Sequence, residues 1–140
     1  MNLQLITLAG VKLDAPVYEV ILPTTSGEIA VFPGHEPLIS VARPGVVAVR
    51  HNKQDSDERM EYFAISGGVI EINPEMVRVL VDEADHGDDI NEAESKAALD
   101  RAIALRDNAK NQIELDEAHA LVDRHVVRLK VADLHRRRRP

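Results

Sequence analysis

The chain contains no cysteine, no tryptophan and only two tyrosines and two phenylalanines among its 140 residues. The lack of cysteine excludes disulfides, thiolate metal sites and cysteine nucleophiles together. With so few aromatics, a buried core must be aliphatic, and the 44% of hydrophobic residues can supply one. The same shortage weighs against a carbohydrate-binding site, since such sites usually expose aromatic side chains.

Long apolar runs are also missing. None approaches the roughly 20 residues that a membrane span requires, so we expect no direct membrane insertion. The first residues, MNLQLITLAGVKLDAP, show no basic stretch leading into an apolar one, which predicts that no signal peptide is present.

The net charge of −7 is unevenly distributed along the chain. Residues 87–122 carry 4 Lys/Arg against 9 Asp/Glu, whereas residues 123–140 carry 7 against 2. The acidic body argues against nucleic-acid binding. The basic end, RHVVRLKVADLHRRRR, fits either a solvated terminal tail or a cationic amphipathic helix that docks on an acidic protein partner.

The first 86 residues have the pattern of a β-domain. Short runs such as EIAVF, LISVA and MVRVLV are separated by TTSG, PGHEP, RPG and NPE. Runs of this kind bounded by Gly, Pro and Asn predict antiparallel strands, and their spacing predicts a sandwich or flattened barrel of about 80 residues. Gly67-Gly68 is predicted to form a tight hairpin turn with positive φ.

Residues 87–140 have a helical pattern, with no glycine after Gly87 and no proline before Pro140. Asn91 and Glu94 have the spacing of a capping box. Two apolar stripes follow at helical spacing: Ala98, Ala102, Leu105 and Ala109, then Leu115, Ala118, Val122, Val126 and Leu129. The alanines allow close approach and favour an antiparallel helical hairpin, although one continuous helix over 91–135 satisfies the same rules.

The sequence contains few residues in the patterns that catalysis or metal binding requires. The acidic stretch DEADHGDD (82–89) lacks the spacing of a calcium loop and is predicted to be a solvated linker. The six histidines form no HExxH pair, and His125 is interpreted as a packing histidine on the second helix. A Ser/His/Asp triad assembled in space stays open, but no GxSxG motif supports it. We therefore expect no catalytic residue, metal or cofactor.

The stretch GEIAVFPGHEPLIS (27–40) instead predicts a surface for docking. Pro33 restricts φ and Gly34 permits positive φ, which suits a type II turn. His35 and Glu36 would then be held at the rim of the fold with little conformational entropy left to lose on binding. A turn that merely joins two strands is the alternative.

These segments resemble the epsilon subunit family of the F-type rotary ATP synthase, called delta in mitochondria. The resemblance rests on LPTTSGEIAVFPGHEPLIS (22–40), RPGVV (43–47), FAISGGVIEINPEMVRVL (63–80) and DDINEA (88–93). It implies a ten-stranded sandwich over residues 1–86 followed by a two-helix antiparallel hairpin over residues 87–140.

The resemblance also implies a role. Family members lie at the foot of the central stalk, against the gamma subunit and the membrane ring of c subunits, and link ring rotation to the catalytic alpha/beta head. It implies a peripheral position at the cytoplasmic face of the bacterial membrane. The family's ring-facing residues fall on Glu28 and His35, and we add the neighbouring Glu36 as a candidate for binding the ring or gamma.

The helices of bacterial relatives can open along gamma and block ATP hydrolysis. For this chain, inhibition would set Arg124, Arg128 and Lys130 against acidic residues of the head. The alternative functions are a free-standing β-sandwich that binds peptide or carbohydrate and, last, a small hydrolase with a spatial triad.

Two departures from the family pattern matter. Ala30 stands where glycine is common, which would alter one strand contact. Some relatives bind ATP through Ile/Leu-Asp-x-x-Arg-Ala at the start of the first helix, and the corresponding residues here are INEAES (90–95). Asn91 replaces the aspartate and Glu94 replaces the arginine, so an anion would be repelled. We therefore predict no ATP binding.

Overall fold

The computed structural model describes residues 1–138, so Arg139 and Pro140, the end of the predicted basic tail, lie outside the described residues. Ten strands come first: β1 (Asn2–Thr7), β2 (Gly10–Pro16), β3 (Glu19–Thr24), β4 (Gly27–Val31), β5 (Leu38–Ala42), β6 (Gly45–Arg50), β7 (Glu61–Ile65), β8 (Gly68–Ile72), β9 (Met76–Val81) and β10 (Ala84–His86). Two helices follow, α1 (Glu92–Asp107) and α2 (Gln112–Arg136). The predicted fold class, a ten-stranded sandwich followed by a helical hairpin, is confirmed.

The strands form a sheet in the order β10-β7-β6-β3-β5-β8-β9-β1-β2, with β4 paired to β3 alone. The junction between β3 and β5 is a single residue pair, Thr24 with Ala42, and the sheet folds there into two facing halves. Within the described residues, β1 and β9 run parallel and the other neighbouring strands antiparallel. The two halves close over one core.

The core is aliphatic, as the composition requires, apart from Phe63. Each half contributes the residues that point inward along its strands, because side chains alternate between the two faces of a strand. Fully buried members are Leu3, Leu5, Val20, Leu22, Val31, Val47, Val49, Ile70, Val77 and Val79. This single core positions the surfaces described below.

The β1–β2 and β3–β4 hairpins turn in the same way. In each, a buried threonine, Thr7 or Thr24, accepts a hydrogen bond from the backbone N–H two residues on and donates one to the carbonyl of a glycine three residues on. Those glycines, Gly10 and Gly27, have φ of 130° and 116°, which side chains other than glycine rarely adopt. The sequence T-x-x-G therefore specifies both turns.

The prediction of a hairpin at Gly67-Gly68 is wrong. β7 pairs with β6 and β10, whereas β8 pairs with β5 and β9, so the two glycines carry the chain from one half of the sandwich to the other. Neither glycine has positive φ. Gly68 is required for space, because a Cβ there would lie 2.0 Å from the Leu80 carbonyl oxygen.

The predicted solvated linker at 82–89 is also wrong in part. β10 pairs with β7 through Ala84, Asp85 and His86, and residues Gly87–Asp89 form a short 3-10 helix. Ala84 and Gly87 are buried. The segment is therefore an edge strand and a packed turn, with its carboxylates on the outside.

A helical hairpin forms in place of one long helix. The Asn91 side chain accepts a hydrogen bond from the Glu94 N–H at 3.0 Å, which confirms the predicted N-cap. Asn111 caps α2 in the same way through the Glu114 N–H, at 2.9 Å. The side-chain amide of Asn108 donates to the Ala104 carbonyl at the end of α1. Asparagine side chains therefore end α1 and begin α2, so the turn forms without the glycine or proline that usually marks one.

The predicted apolar stripes are correct for part of their length. Ala102 and Ala118 are buried, whereas Leu105 and Val126 are exposed. Leu105 lies in the last turns of α1, and Val126 lines an open groove beside the sandwich. The buried anchor of α2 is instead Val131, near its C-terminal end, where the helix packs on the sandwich.

Candidate partner-binding surfaces

The corner between β4 and β5 has the geometry that its sequence predicts. Gly34 has φ of 86°, the positive value that the third residue of a type II turn requires. Its N–H donates to the Pro74 carbonyl at 3.0 Å, in the loop that joins β8 and β9. The corner is therefore held by the β8–β9 loop as well as by its prolines.

His35 and Glu36 lie on this corner, outside the core. Glu36 is exposed and His35 is half-buried. His35 Nδ1 lies 2.6 Å from the Glu36 carbonyl oxygen, and since that oxygen only accepts, Nδ1 carries the proton and donates. This bond orients the ring and leaves Nε2 as the ring nitrogen for a contact with a partner.

Glu28 lies apart from His35 and Glu36. It is exposed in β4 opposite Pro23, near the start of the strand, whereas His35 follows the far end. Glu28 lines a groove of about 510 Å³ beside α2, together with Arg43, Val126 and Lys130. The structure therefore brings Glu28 near one of the predicted inhibitory cations and does not bring it to the corner.

An apolar stripe crosses the outer face of five neighbouring strands, β5-β8-β9-β1-β2. Val41 pairs with Val69, Val69 with Leu80, Leu80 with Ile6 and Ile6 with Val11. Val41, Val69, Leu80 and Val11 are 55%, 41%, 37% and 62% exposed. A contiguous exposed apolar surface of this kind is typical of protein-binding sites.

Sequence reasoning missed this stripe. Its signal is that strands such as LISVA and MVRVLV carry apolar residues at both even and odd positions, so both faces are apolar. Which outward residues become neighbours depends on the strand order, which no local pattern contains.

The basic part of α2 faces the sandwich. The Arg124 guanidinium lies 2.8 Å from the Glu83 carboxylate, and Arg128 forms an ion pair with Asp85. Arg128 Nε also lies 3.5 Å from the buried Ser95 Oγ of α1. Of the three predicted inhibitory cations, the two arginines are therefore bound to the chain's own acids, while Lys130 is exposed along the groove beside Glu28.

His125 lies between the two helices, half-buried, as the packing interpretation expects. Its burial lowers its pKa below the ordinary 6.5, and the positive charges of Arg124, Arg128 and Arg101 lower it further. The neutral imidazole is thus the form that fits this site, in agreement with its buried Nδ1, which has no hydrogen-bond partner within residues 1–138.

Glu61 on β7 joins two histidines at the junction of sandwich and helices. Its carboxylate oxygens lie 3.0 Å from His51 Nε2 and 2.8 Å from His86 Nε2. Burial raises the pKa of Glu61, but the hydrogen bonds from the two histidines outweigh it and hold the pKa below 4.5. The carboxylate is therefore kept ionised as an anchor for His86.

Across residues 1–138, no cluster of three or more His, Asp or Glu side chains is arranged to hold a metal ion. In the same range, neither helix combines the length and apolar character that crossing a membrane requires.

A sandwich with a rigid polar corner, an exposed apolar stripe and a docked helical hairpin has the surfaces expected of a protein that binds other proteins. Residues 1–87 match the family model described as ATP synthase, Delta/Epsilon chain, beta-sandwich domain. The chain belongs to this family.

Relatives support the assignment over the whole length. The ATP synthase epsilon chain of Chloroflexus aggregans is 32% identical over 139 residues, which cover 99% of this chain and 96% of the relative. That of Neisseria meningitidis serogroup C is 34% identical over 114 residues, covering 81% and 79%. A chain in the cryo-EM structure of the Euglena gracilis mitochondrial ATP synthase, OSCP/F1/c-ring, shares the fold with a TM-score of 0.78 and 23% identity, covering 93% of this chain and 79% of that one.

Proposed function

We propose that this chain is a non-catalytic rotor subunit in the central stalk of a proton-translocating F-type ATP synthase. It couples rotation of the membrane ring to ATP synthesis in the alpha/beta head. The observation that carries this proposal is the match to curated epsilon chains along nearly the whole chain, sandwich and hairpin together. No comparable match favours the alternative of a free-standing binding module.

The apolar stripe over β5, β8, β9, β1 and β2 is the surface proposed for gamma. Permanent complexes bury interfaces that are more apolar than ordinary protein surface, and burial contributes about 25 cal/mol for each Å² of apolar area. A rotor subunit needs such a lasting contact because it turns with its neighbour. The stripe runs across strands that share one core, so it moves as a unit.

The rigid corner is the surface proposed for the ring. His35 and Glu36 are polar and project from a turn braced by Pro33 and Pro37, which suits contact with polar loops of c subunits. Glu28 is proposed as a second contact with the ring or gamma, at the other end of β4. The protein is then peripheral, held at the cytoplasmic face of the bacterial membrane through the ring.

The helical hairpin is proposed to inhibit ATP hydrolysis when it opens. Arg124, Arg128 and Lys130 would then meet acidic residues of the catalytic head. In the docked hairpin, Glu83 and Asp85 hold the two arginines, so inhibition requires these ion pairs to break. Removing residues 87–140 should raise ATP hydrolysis and leave assembly intact; unchanged hydrolysis would contradict the inhibitory role.

The rotor assignment is tested by affinity purification from solubilised membranes with a tag on this chain. We expect gamma, alpha, beta and the ring to be recovered together. Val69→Asp places a charge at the centre of the stripe, where burial without a partner is unfavourable by several kcal/mol, and should reduce recovery of gamma.

The matched control is Gln54→Asp, which adds the same charge at an exposed residue of the β6–β7 loop, in the half of the sandwich that does not carry the stripe. It should leave recovery unchanged. Purification of the unaltered chain without any of these subunits would contradict the proposed function.

A further inference from the structure

The segment that leaves the sandwich approaches α2 closely at Gly87. This glycine is buried, and a Cβ placed on it would lie 2.7 Å from both Cβ and Cγ of His135 in the last turns of α2. Its φ is not positive, so its backbone conformation is open to other residues. Glycine is therefore required here by the approach of α2 and not by the turn.

The residue before Gly87 is fixed to the sandwich. His86 Nε2 lies 2.8 Å from the Glu61 carboxylate, and its Nδ1 accepts a hydrogen bond from the Asp88 N–H at 3.0 Å. Its ring packs edge-on against Phe63, with centroids 5.0 Å apart. His86 thus ties the start of the 3-10 helix to β7 and to the core.

The residue after Gly87 is bound to α2. An Asp88 carboxylate oxygen lies 2.6 Å from His135 Nε2. The His135 ring also packs edge-on against His86, with centroids 5.7 Å apart. Three consecutive residues therefore act together: His86 binds the sandwich, Gly87 provides the space for His135, and Asp88 holds the His135 ring in that space.

We propose that His86, Gly87, Asp88 and His135 form a latch that keeps the hairpin docked. The His135 side chain is seated in the space that Gly87 leaves, and α2 leaves the sandwich only when His135 leaves this seat. The latch is a property of the isolated chain; only its effect on ATP hydrolysis rests on the proposed function.

Gly87→Ala tests the latch selectively. The added methyl group overlaps His135 when the hairpin is docked and meets nothing from α2 when the hairpin is open. In the open chain, alanine restricts the backbone no more than any other residue except proline does. The substitution should therefore lower the ratio of docked to open molecules by about tenfold or more, because overpacking at a rigid contact is destabilising.

The absence of cysteine makes the measurement direct. Cysteines introduced at the exposed Lys53 in the sandwich and Lys110 at the hairpin turn can carry spin labels, and pulsed dipolar spectroscopy gives the distribution of distances between them. The otherwise unaltered chain should show one docked population. Gly87→Ala should add a second population at longer distances, with the circular dichroism of the fold retained.

A double-mutant cycle separates the latch from general loss of folding. His135→Gly removes the Cβ, Cγ and Nδ1 atoms that the new methyl group would meet. In that background, adding Gly87→Ala should cause no further opening. Asp88→Ala should open the hairpin to a smaller extent, whereas Asp89→Ala, at the exposed neighbouring position, should leave it docked.

A Gly87→Ala chain that still shows the docked population alone would overturn the latch, as would equal opening by Gly87→Ala with and without His135. Neither result would affect the rotor assignment, which is tested by copurification. If Gly87→Ala opens the isolated chain but leaves hydrolysis by the assembled enzyme unchanged, the latch stands and the inhibitory role of the helices is contradicted.

Discussion

Arg128 of α2 donates a hydrogen bond to the carboxylate of Asp85 on β10, 43 residues earlier in the chain. Arg124 forms a parallel pair with Glu83, one turn along the helix. The sandwich thus offers the basic face of α2 the same chemistry that an acidic surface of the catalytic head would offer. The docked and the proposed inhibitory states therefore compete for the same two guanidinium groups.

Asp85→Asn should weaken docking of the hairpin. Arg128 is largely buried, with 18% of its side chain exposed, and losing a charged hydrogen-bond partner there destabilises the docked state by about 1–2 kcal/mol. Amide hydrogen exchange along α2 in the isolated chain should become correspondingly faster. In the assembled enzyme the same variant should inhibit ATP hydrolysis more strongly.

Asp82→Asn is the control for that substitution. It removes one negative charge from the same segment, at an exposed residue for which residues 1–138 show no ion pair. Its α2 exchange should match that of the unaltered chain. Equal exchange in Asp85→Asn and Asp82→Asn would show that the ion pair does not hold the hairpin.

His125 should make the stability of the chain depend on pH. Its pKa is lowered in the folded state, so the unfolded chain binds more protons below the ordinary value of 6.5. The stabilisation that the neutral ring provides is therefore complete above 6.5 and is lost as the pH falls through the folded pKa. His125→Gln should reduce the loss of unfolding free energy between about pH 7.5 and about pH 5.5, measured by urea titration.

His119→Gln provides the comparison, because His119 lies exposed on the same helix. The unfolding free energy of the His119→Gln variant should fall with acidification as steeply as that of the unaltered chain. A His125→Gln variant with an unchanged slope would contradict the role assigned to the buried ring.

Calorimetric titration of the isolated chain with ATP should show no binding between the helices. Glu94 lines the space between α1 and α2 beside Ser95 and Arg101, where its negative charge repels phosphate. The nearby Arg124 and Arg128 are already paired with acids of the sandwich.

Glu94→Arg tests the reason for that prediction. Reversing the charge should raise the affinity of the chain for ATP. The substitution leaves the N-cap intact because Asn91 accepts a hydrogen bond from the backbone N–H of residue 94. Tight ATP binding by the unaltered chain would contradict the prediction.

The sequence contained the elements of this fold but not their partners. Alternation in NLQLIT is sufficient to predict that Leu3 and Leu5 are buried in a strand, and both are. That β1 runs parallel to β9 is a relation across more than 70 residues, for which no local pattern exists. The prediction of a hairpin at Gly67-Gly68 was wrong for the same reason, because two glycines between strands give the same local pattern in a hairpin and in a crossover.

The candidate surfaces also differ in whether the local sequence predicts them. The rigid corner follows from Pro33 and Gly34, which restrict the backbone wherever they occur. The stripe and the latch arise from tertiary contacts: Val69 meets Leu80 only because β8 pairs with β9, and Gly87 receives His135 only because α2 folds back. The sequence contains those residues but not their proximity.

The hydrogen bond from Gly34 to Pro74 has a mechanical consequence. Without it, only the backbone segments that join the corner to β4 and β5 would carry a sideways load, and the corner would bend. With it, the load also passes into the β8–β9 hairpin, whose strands lie in the same layer as β5. If the corner is the contact with the ring, as proposed, this bond would let it transmit torque with little elastic deformation.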